Sequence, residues 1–237
     1  MIKINNLTKK YKNKLAVDNL NLEIKTGELF SLLGTNGAGK TTTIKILSSL
    51  ILPSSGTAVI NDFDLVKNRN KIREIINISP QETAVAPNLT VLENLYFMAG
   101  IYQIKNKKKK IEELISLFKL EEVLKQKAKT LSGGYQRKLS IAISLINDPL
   151  ILFLDEPTLG LDVISRQDLW KVINSLKGKT TIILTTHYME EAEKLSDRIG
   201  IMNKGKLIEV GTSKELMKKA KTKTFEDAFI KIVESDV

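Results

Sequence analysis

Eight consecutive residues, Gly34-Thr35-Asn36-Gly37-Ala38-Gly39-Lys40-Thr41, have the types and spacing that hold the phosphates of a nucleotide. Three glycines let the backbone turn tightly and bring N–H groups close to phosphate oxygens. Lys40 can reach the β- and γ-phosphates, the Thr41 hydroxyl can join a Mg²⁺ shell, and Thr42 continues the stretch. The apolar run Leu29-Phe30-Ser31-Leu32-Leu33 reads as a buried strand before the loop, and residues 41–50 read as the helix after it. That helix start adds unpaired N–H donors and roughly half a positive charge. A glycine-rich turn capping an ordinary helix is the bland alternative, and it leaves the Lys-Thr pair unexplained.

A second chemical pair lies far down the chain. Leu150-Ile151-Leu152-Phe153-Leu154 is wholly apolar and ends in Asp155-Glu156-Pro157. Two carboxylates after a buried strand are costly to place unless something uses them. Asp155 can hold Mg²⁺ directly or through water, completing the metal site begun by Thr41. Strand alternation is expected to point Glu156 the other way, where it can take a proton from attacking water. The strand over residues 180–186 ends at His187, the sole histidine. One histidine cannot build a multi-histidine zinc site, and its place beyond a strand points toward the nucleotide.

Three further stretches each carry two readings. Gln81 follows the strand of residues 75–79, where α/β proteins often place ligand-contacting side chains, or it is a surface glutamine. Tyr11, among Lys9, Lys10 and Lys12, packs on a sheet edge or stacks on a purine base. Leu131-Ser132-Gly133-Gly134-Tyr135-Gln136 opens a helix over about residues 135–146 and forms a second candidate anion site, although a serine cap followed by glycines is common.

The elements that must position these groups follow from patterning. Residues 1–33 read as three strands, with Ile2 and Ile4 and then Leu20, Leu22 and Ile24 alternating. A short strand over 58–60 follows the turn at residues 53–56. From about 85 to 130 the pattern is helical, opened by the Thr90-x-x-Glu93 capping box. The run of residues 105–110, lysine except for Asn106, reads as a solvated connection between helices, with lipid headgroups or a partner as the sharper reading. Residues 158–162 are a loop, 164–176 and 188–195 helices, and 199–202 with 207–210 a hairpin. A second capping box at Thr212 and Glu215 precedes an amphipathic segment carrying Phe225, Phe229 and Ile232.

Composition narrows the setting. The chain has 237 residues, 42% apolar and 5% aromatic, which suits a core of Ile, Leu and Val in buried parallel strands. There is no cysteine, so neither a disulfide framework nor a thiolate metal site, and a cytosolic protein fits. No window approaches about 18 uninterrupted apolar residues, so no bilayer span is expected, and the first five residues alternate like a strand rather than a signal peptide. The net charge of +10 fits nucleic acid, an anionic membrane surface or a lysine-rich proteome, and decides nothing alone.

Taken in order, these pieces resemble the nucleotide-binding subunits of ATP-binding-cassette (ABC) transporters, over about residues 2–212. Residues 34–41 match that family's Walker A loop and residues 151–156 its Walker B strand. Tyr11 falls where the family stacks an aromatic ring on adenine, and Gln81 at its Q-loop glutamine. Residues 131–135 match the signature sequence, Asp162 the D-loop aspartate and His187 the switch histidine. The fifth signature residue, usually glutamine, is Tyr135 here. The run Thr185-Thr186-His187-Tyr188-Met189-Glu190-Glu191-Ala192-Glu193 resembles stand-alone exporter ATPases for drugs, antibiotics or lipids.

The resemblance implies an α/β fold, a P-loop NTPase core with a mainly parallel sheet, an N-terminal antiparallel β subdomain and a helical subdomain. It implies one domain over residues 1–237, with the helical subdomain at about 85–145 and a short helical tail at about 212–237. No appended regulatory domain is expected. ATP and Mg²⁺ are the implied ligands, with Ser132, Gly133 and Gly134 of one copy meeting the γ-phosphate held by Gly39 and Lys40 of another. Implied partners are a second ATPase subunit, forming a homodimer, and a separate membrane permease, which would hold the chain at the cytoplasmic face of the cell membrane. No nucleic acid is expected. The alternative is a soluble ABC-type ATPase acting on nucleic acid or the ribosome, in keeping with the charge.

Overall fold

Alternating apolar residues give β1 (Ile2–Tyr11) and β2 (Lys14–Ile24) one buried row each, and the strands pair antiparallel with Ile2 opposite Ile24. A turn at Gly27 leads into β3 (Leu29–Gly34), which is buried throughout and runs through the glycine-rich loop into α1 (Lys40–Leu47). The chain then adds β4 (Ser55–Ile60), β5 (Phe63–Asp64), α2 (Arg69–Ile75) and β6 (Ile76–Ser79). Neither β5 nor α2 is foreseen by the patterning, because a two-residue strand and a seven-residue polar helix show no measurable period.

Helices α3 (Val91–Ile101), α4 (Lys107–Phe118) and α5 (Gly133–Ser144) form the next block. Both halves of the capping box at Thr90 and Glu93 close, which fixes where α3 starts. The lysine run departs from expectation: residues 107–110 are the first turn of α4, not a connection. Ile111, Leu114, Ile115 and Phe118 bury at helical spacing, and Lys110, itself buried and paired with Glu113 and Asp148, continues their face.

The remaining elements are β7 (Ile151–Asp155), α6 (Val163–Ser175), β8 (Thr181–Thr186), α7 (Met189–Leu195), β9 (Arg198–Asn203), β10 (Lys206–Gly211), α8 (Ser213–Ala220) and α9 (Phe225–Glu234). This computed structural model describes residues 1–235, and the last two residues of the expected tail, Asp236 and Val237, lie outside the described residues.

A four-stranded antiparallel sheet has the order β2-β1-β4-β5, and a six-stranded sheet the order β10-β9-β3-β8-β7-β6. In the larger sheet β10 pairs antiparallel with β9, and the other pairings are parallel. This is the α/β architecture expected, with a mainly parallel sheet, an N-terminal antiparallel subdomain and a helical one. Along β7, Leu152 and Leu154 pack with α3, α4 and α5, while Ile151 and Phe153 pack with α1 and the antiparallel sheet. Burial on both faces is why these strands are continuous apolar runs. Their register places Leu33 beside Thr186, Asp155 beside Thr185 and Ser79 beside Leu154. Four strands therefore deliver their C-terminal ends to one edge.

Candidate functional site

At that edge the loop after β3 and the start of α1 form the floor of a cleft of about 420 Å³. Residues 36–42 line it, joined by Gln81, Glu156 and His187 from beyond other strand ends. Gly39 sits at φ 104°, and a Cβ there would lie 2.4 Å from the Ala16 carbonyl oxygen. No side-chain hydrogen bond caps α1, so its first N–H groups are left to an incoming anion. Gly34 and Thr35 stand behind the wall, where their carbonyl oxygens accept from Lys40 Nζ at 2.8 and 3.2 Å.

Lys40 Nζ also lies 3.3 Å from Glu156 Oε1, and Glu156 Oε2 meets His187 Nδ1 at 2.8 Å. Lys40 and Glu156 are only 5% and 6% exposed, a burial that charged groups tolerate when paired. Glu156 diverges from Asp155 for a reason other than strand alternation. It lies just past the end of β7 in a left-handed conformation, φ 49°, with its N–H held by Thr185. The backbone turn, not the pleat, sends the two carboxylates to different places.

Asp155 accepts from the Thr41 hydroxyl at 3.1 Å and from the Thr185 hydroxyl. Gln81 shares a smaller cleft with Thr41 and Asp155. A hydroxyl, a carboxylate and an amide oxygen are hard donors that suit Mg²⁺. Among the described residues no group of three or more His, Asp or Glu gathers to hold a metal.

Several expected site residues lie outside the cleft. Tyr11 ends β1 opposite Lys14, which does line the cleft, and its ring is 5.1 Å from Lys9 Nζ. Ser132 caps α5 by accepting from the Tyr135 N–H. Gly133 faces open space, and Gly134 abuts Ser165. Asp162 caps α6, where bonds from the Ser165 hydroxyl and the Ser165 and Ile164 N–H groups hold its carboxyl below the usual carboxylate range.

Two buried charged residues escaped the sequence patterns. Arg137 on α5 donates to the carbonyl oxygens of Pro80, Gln81, Asp155 and Pro157. Burial pulls its guanidinium down to about 10, against the opposing pull of Asp155, Glu191 and Glu156. Helical spacing carried the signal, since Ser140, Ile141 and Ser144 share its buried face. Glu191, fully buried, accepts from the Thr158 hydroxyl and the Trp170 indole N–H, and burial pushes its carboxyl up. Lys14 and Ala16 of β2, which line the cleft, carried no motif at all.

A glycine-rich loop between a buried strand and a helix, with an Asp-Glu pair at the end of a strand two places away in the same sheet, defines a P-loop nucleoside triphosphatase. Residues 17–159 match the family described as ABC transporter. The chain is 39% identical, over 98% of its length, to the probable multidrug ABC transporter ATP-binding protein YbhF of Escherichia coli, of which it spans 42%. It is 39% identical, over 91% of its length, to the linearmycin resistance ATP-binding protein LnrL of Bacillus subtilis, of which it spans 70%. The dimeric, post-hydrolysis structure of the ATP-binding cassette MJ0796, bound to ADP and phosphate, superposes with a TM-score of 0.81 at 29% identity, covering 90% of this chain and 98% of that one. The chain belongs to the ABC transporter family, as an ATPase cassette.

Proposed function

We propose that this chain hydrolyses ATP to power export through a separate membrane permease, working as a head-to-tail pair with a second copy. The observation that carries the hydrolysis is the chain Lys40–Glu156–His187 across the mouth of the phosphate loop, with Lys40 and Glu156 buried and His187 half-buried. Lys40 and the N–H groups of residues 36–41 hold the β- and γ-phosphates, and Tyr11 stacks on adenine. A phosphate oxygen competes with Glu156 for Lys40, which frees the carboxylate to act as general base on the attacking water. His187 orients Glu156 from the other side and can reach the γ-phosphate. Thr41, Asp155 and Gln81 would hold Mg²⁺, which when bound offsets charge on the β- and γ-phosphates.

Ser132, Gly133, Gly134 and Asp162 are assigned to the nucleotide of the second copy. Support comes from Val163 and Ile164 beside Asp162, apolar yet 63% and 77% exposed, as a contact surface requires. Two positive helix ends would then share one set of phosphates, and hydrolysis removes the group that joins them. Export is favoured by the names of YbhF, a probable multidrug ABC transporter ATP-binding protein, and LnrL, a linearmycin resistance ATP-binding protein. Among the described residues no helix is long and apolar enough to cross a membrane, and the spans are assigned to the permease, with this chain at the cytoplasmic face.

Glu156→Gln tests the site and the pairing together. It keeps the contacts but removes the base, so turnover should fall by about 10²- to 10⁴-fold while an ATP-bound dimer accumulates in light scattering. A variant that stays monomeric at saturating ATP overturns the pairing, and one with undiminished turnover overturns the base.

A further inference from the structure

Lys105, Lys107, Lys108 and Lys109 stand exposed around a shallow cleft that Tyr96 also lines. Their placement works against the helix that carries them. Residues 107–110 fill the first turn of α4, where the helix dipole favours anions, yet no acidic residue lies there and Asn106 supplies no side-chain cap. Of the other helices, α3, α7, α8 and α9 carry acidic residues in their first turns and α1, α2, α5 and α6 carry none. Of the run, only Lys110 forms an ion pair among the described residues. A local choice that costs helix stability points to a use outside the fold.

On α3, whose Tyr96 lines that cleft, Phe97 and Ile101 are 55% and 57% exposed, one turn apart on a single face. Cations next to solvent-facing apolar side chains are the composition that binds the headgroup region of an anionic bilayer. We infer that this corner, Lys105, Lys107, Lys108 and Lys109 with Phe97 and Ile101, contacts anionic lipid headgroups directly. The inference rests on the transport reading, which puts the chain beside a bilayer, and adds a contact that needs no permease. Nucleic acid fits less well, since Ile101 offers a polyanion nothing whereas the acyl boundary accepts it.

Vesicles of phosphatidylcholine, with and without phosphatidylglycerol, sedimented with the purified chain at low salt, provide the test. Binding should require the anionic lipid and weaken as salt rises. Replacing the four lysines with glutamine should lower it about 100-fold, and Phe97→Ser with Ile101→Ser about tenfold. ATP hydrolysis by both variants should stay at the wild-type level, which shows that they fold. Binding that ignores the anionic lipid, or survives loss of the lysines, overturns the inference. So does single-stranded RNA that the wild type and the Phe97/Ile101 variant bind equally and that displaces the chain from vesicles. Failure of ATP-dependent pairing strikes the transporter reading instead, and is read separately by light scattering.

Discussion

The chain has two helix starts flanked by glycines, and their surroundings differ. At α1 the glycines are demanded by the fold: Gly39 adopts a left-handed conformation, and its missing Cβ makes room for the Ala16 carbonyl. Four strand ends converge there, and Glu156 and His187, just beyond the ends of β7 and β8, close over it. At α5 the geometry asks for much less. Ser132 caps the helix in an ordinary way, and a Cβ on Gly133 would meet nothing within 4 Å. A glycine that its own chain does not require points to a surface that arrives from outside. On the proposed pairing, the first start would be a finished half-site and the second an offered one.

The sharpest break of this contrast is Lys40→Ala, which should cost about 10³-fold in phosphate release, since it removes the cation aimed at the developing charge. Wild-type turnover in that variant removes the first region from the chemistry. Next comes one chemical change made twice. Gly39→Ala should destabilise the chain by about 1–3 kcal/mol and weaken nucleotide binding, because φ 104° and the Ala16 oxygen oppose a methyl group. Gly133→Ala should leave thermal stability equal or higher by up to about 1 kcal/mol and single-chain nucleotide affinity unchanged, while ATP-driven pairing weakens. Equal melting temperatures for the two variants would erase the distinction. Ser132→Ala should cost about 1 kcal/mol through the lost cap.

The smallest effect concerns Glu191, which stands behind the first region and links Thr158 to Trp170. Its carboxyl holds a proton more tightly folded than unfolded. Wild-type stability should therefore fall as pH rises from the ordinary glutamate value through the raised folded one. Glu191→Gln keeps an acceptor for both partners and removes that titration. Melting curves should shift in favour of the variant as pH rises, and parallel curves would show that Glu191 does not titrate in this window.

Most of the architecture could be read from patterning, because apolar alternation, buried runs and capping boxes are local. The phosphate loop and the Asp155-Glu156 pair were legible for the same reason. What escaped was either short or contextual. β5 and α2 are too brief to show a period, and the lysines of α4 look like a loop until Phe118 and its neighbours pull them into a helix. The separate positions of Asp155 and Glu156 depend on one left-handed backbone conformation that alternation cannot foretell. Arg137 matters through carbonyl oxygens on segments about 20 and more than 50 residues away, and no spacing rule reaches that far.

That arginine has a mechanical consequence. Its planar fork grips the carbonyl groups of Pro80, Gln81, Asp155 and Pro157 from a helix whose start lies four residues before it. A small tilt of α5 cannot loosen one of these bonds alone, because a rigid guanidinium moves all of them together. The linkage therefore ties α5 at once to the segments that carry Gln81 and Asp155. Pressure on the exposed end of α5 would thus be felt at Gln81 and Asp155 together rather than at either alone.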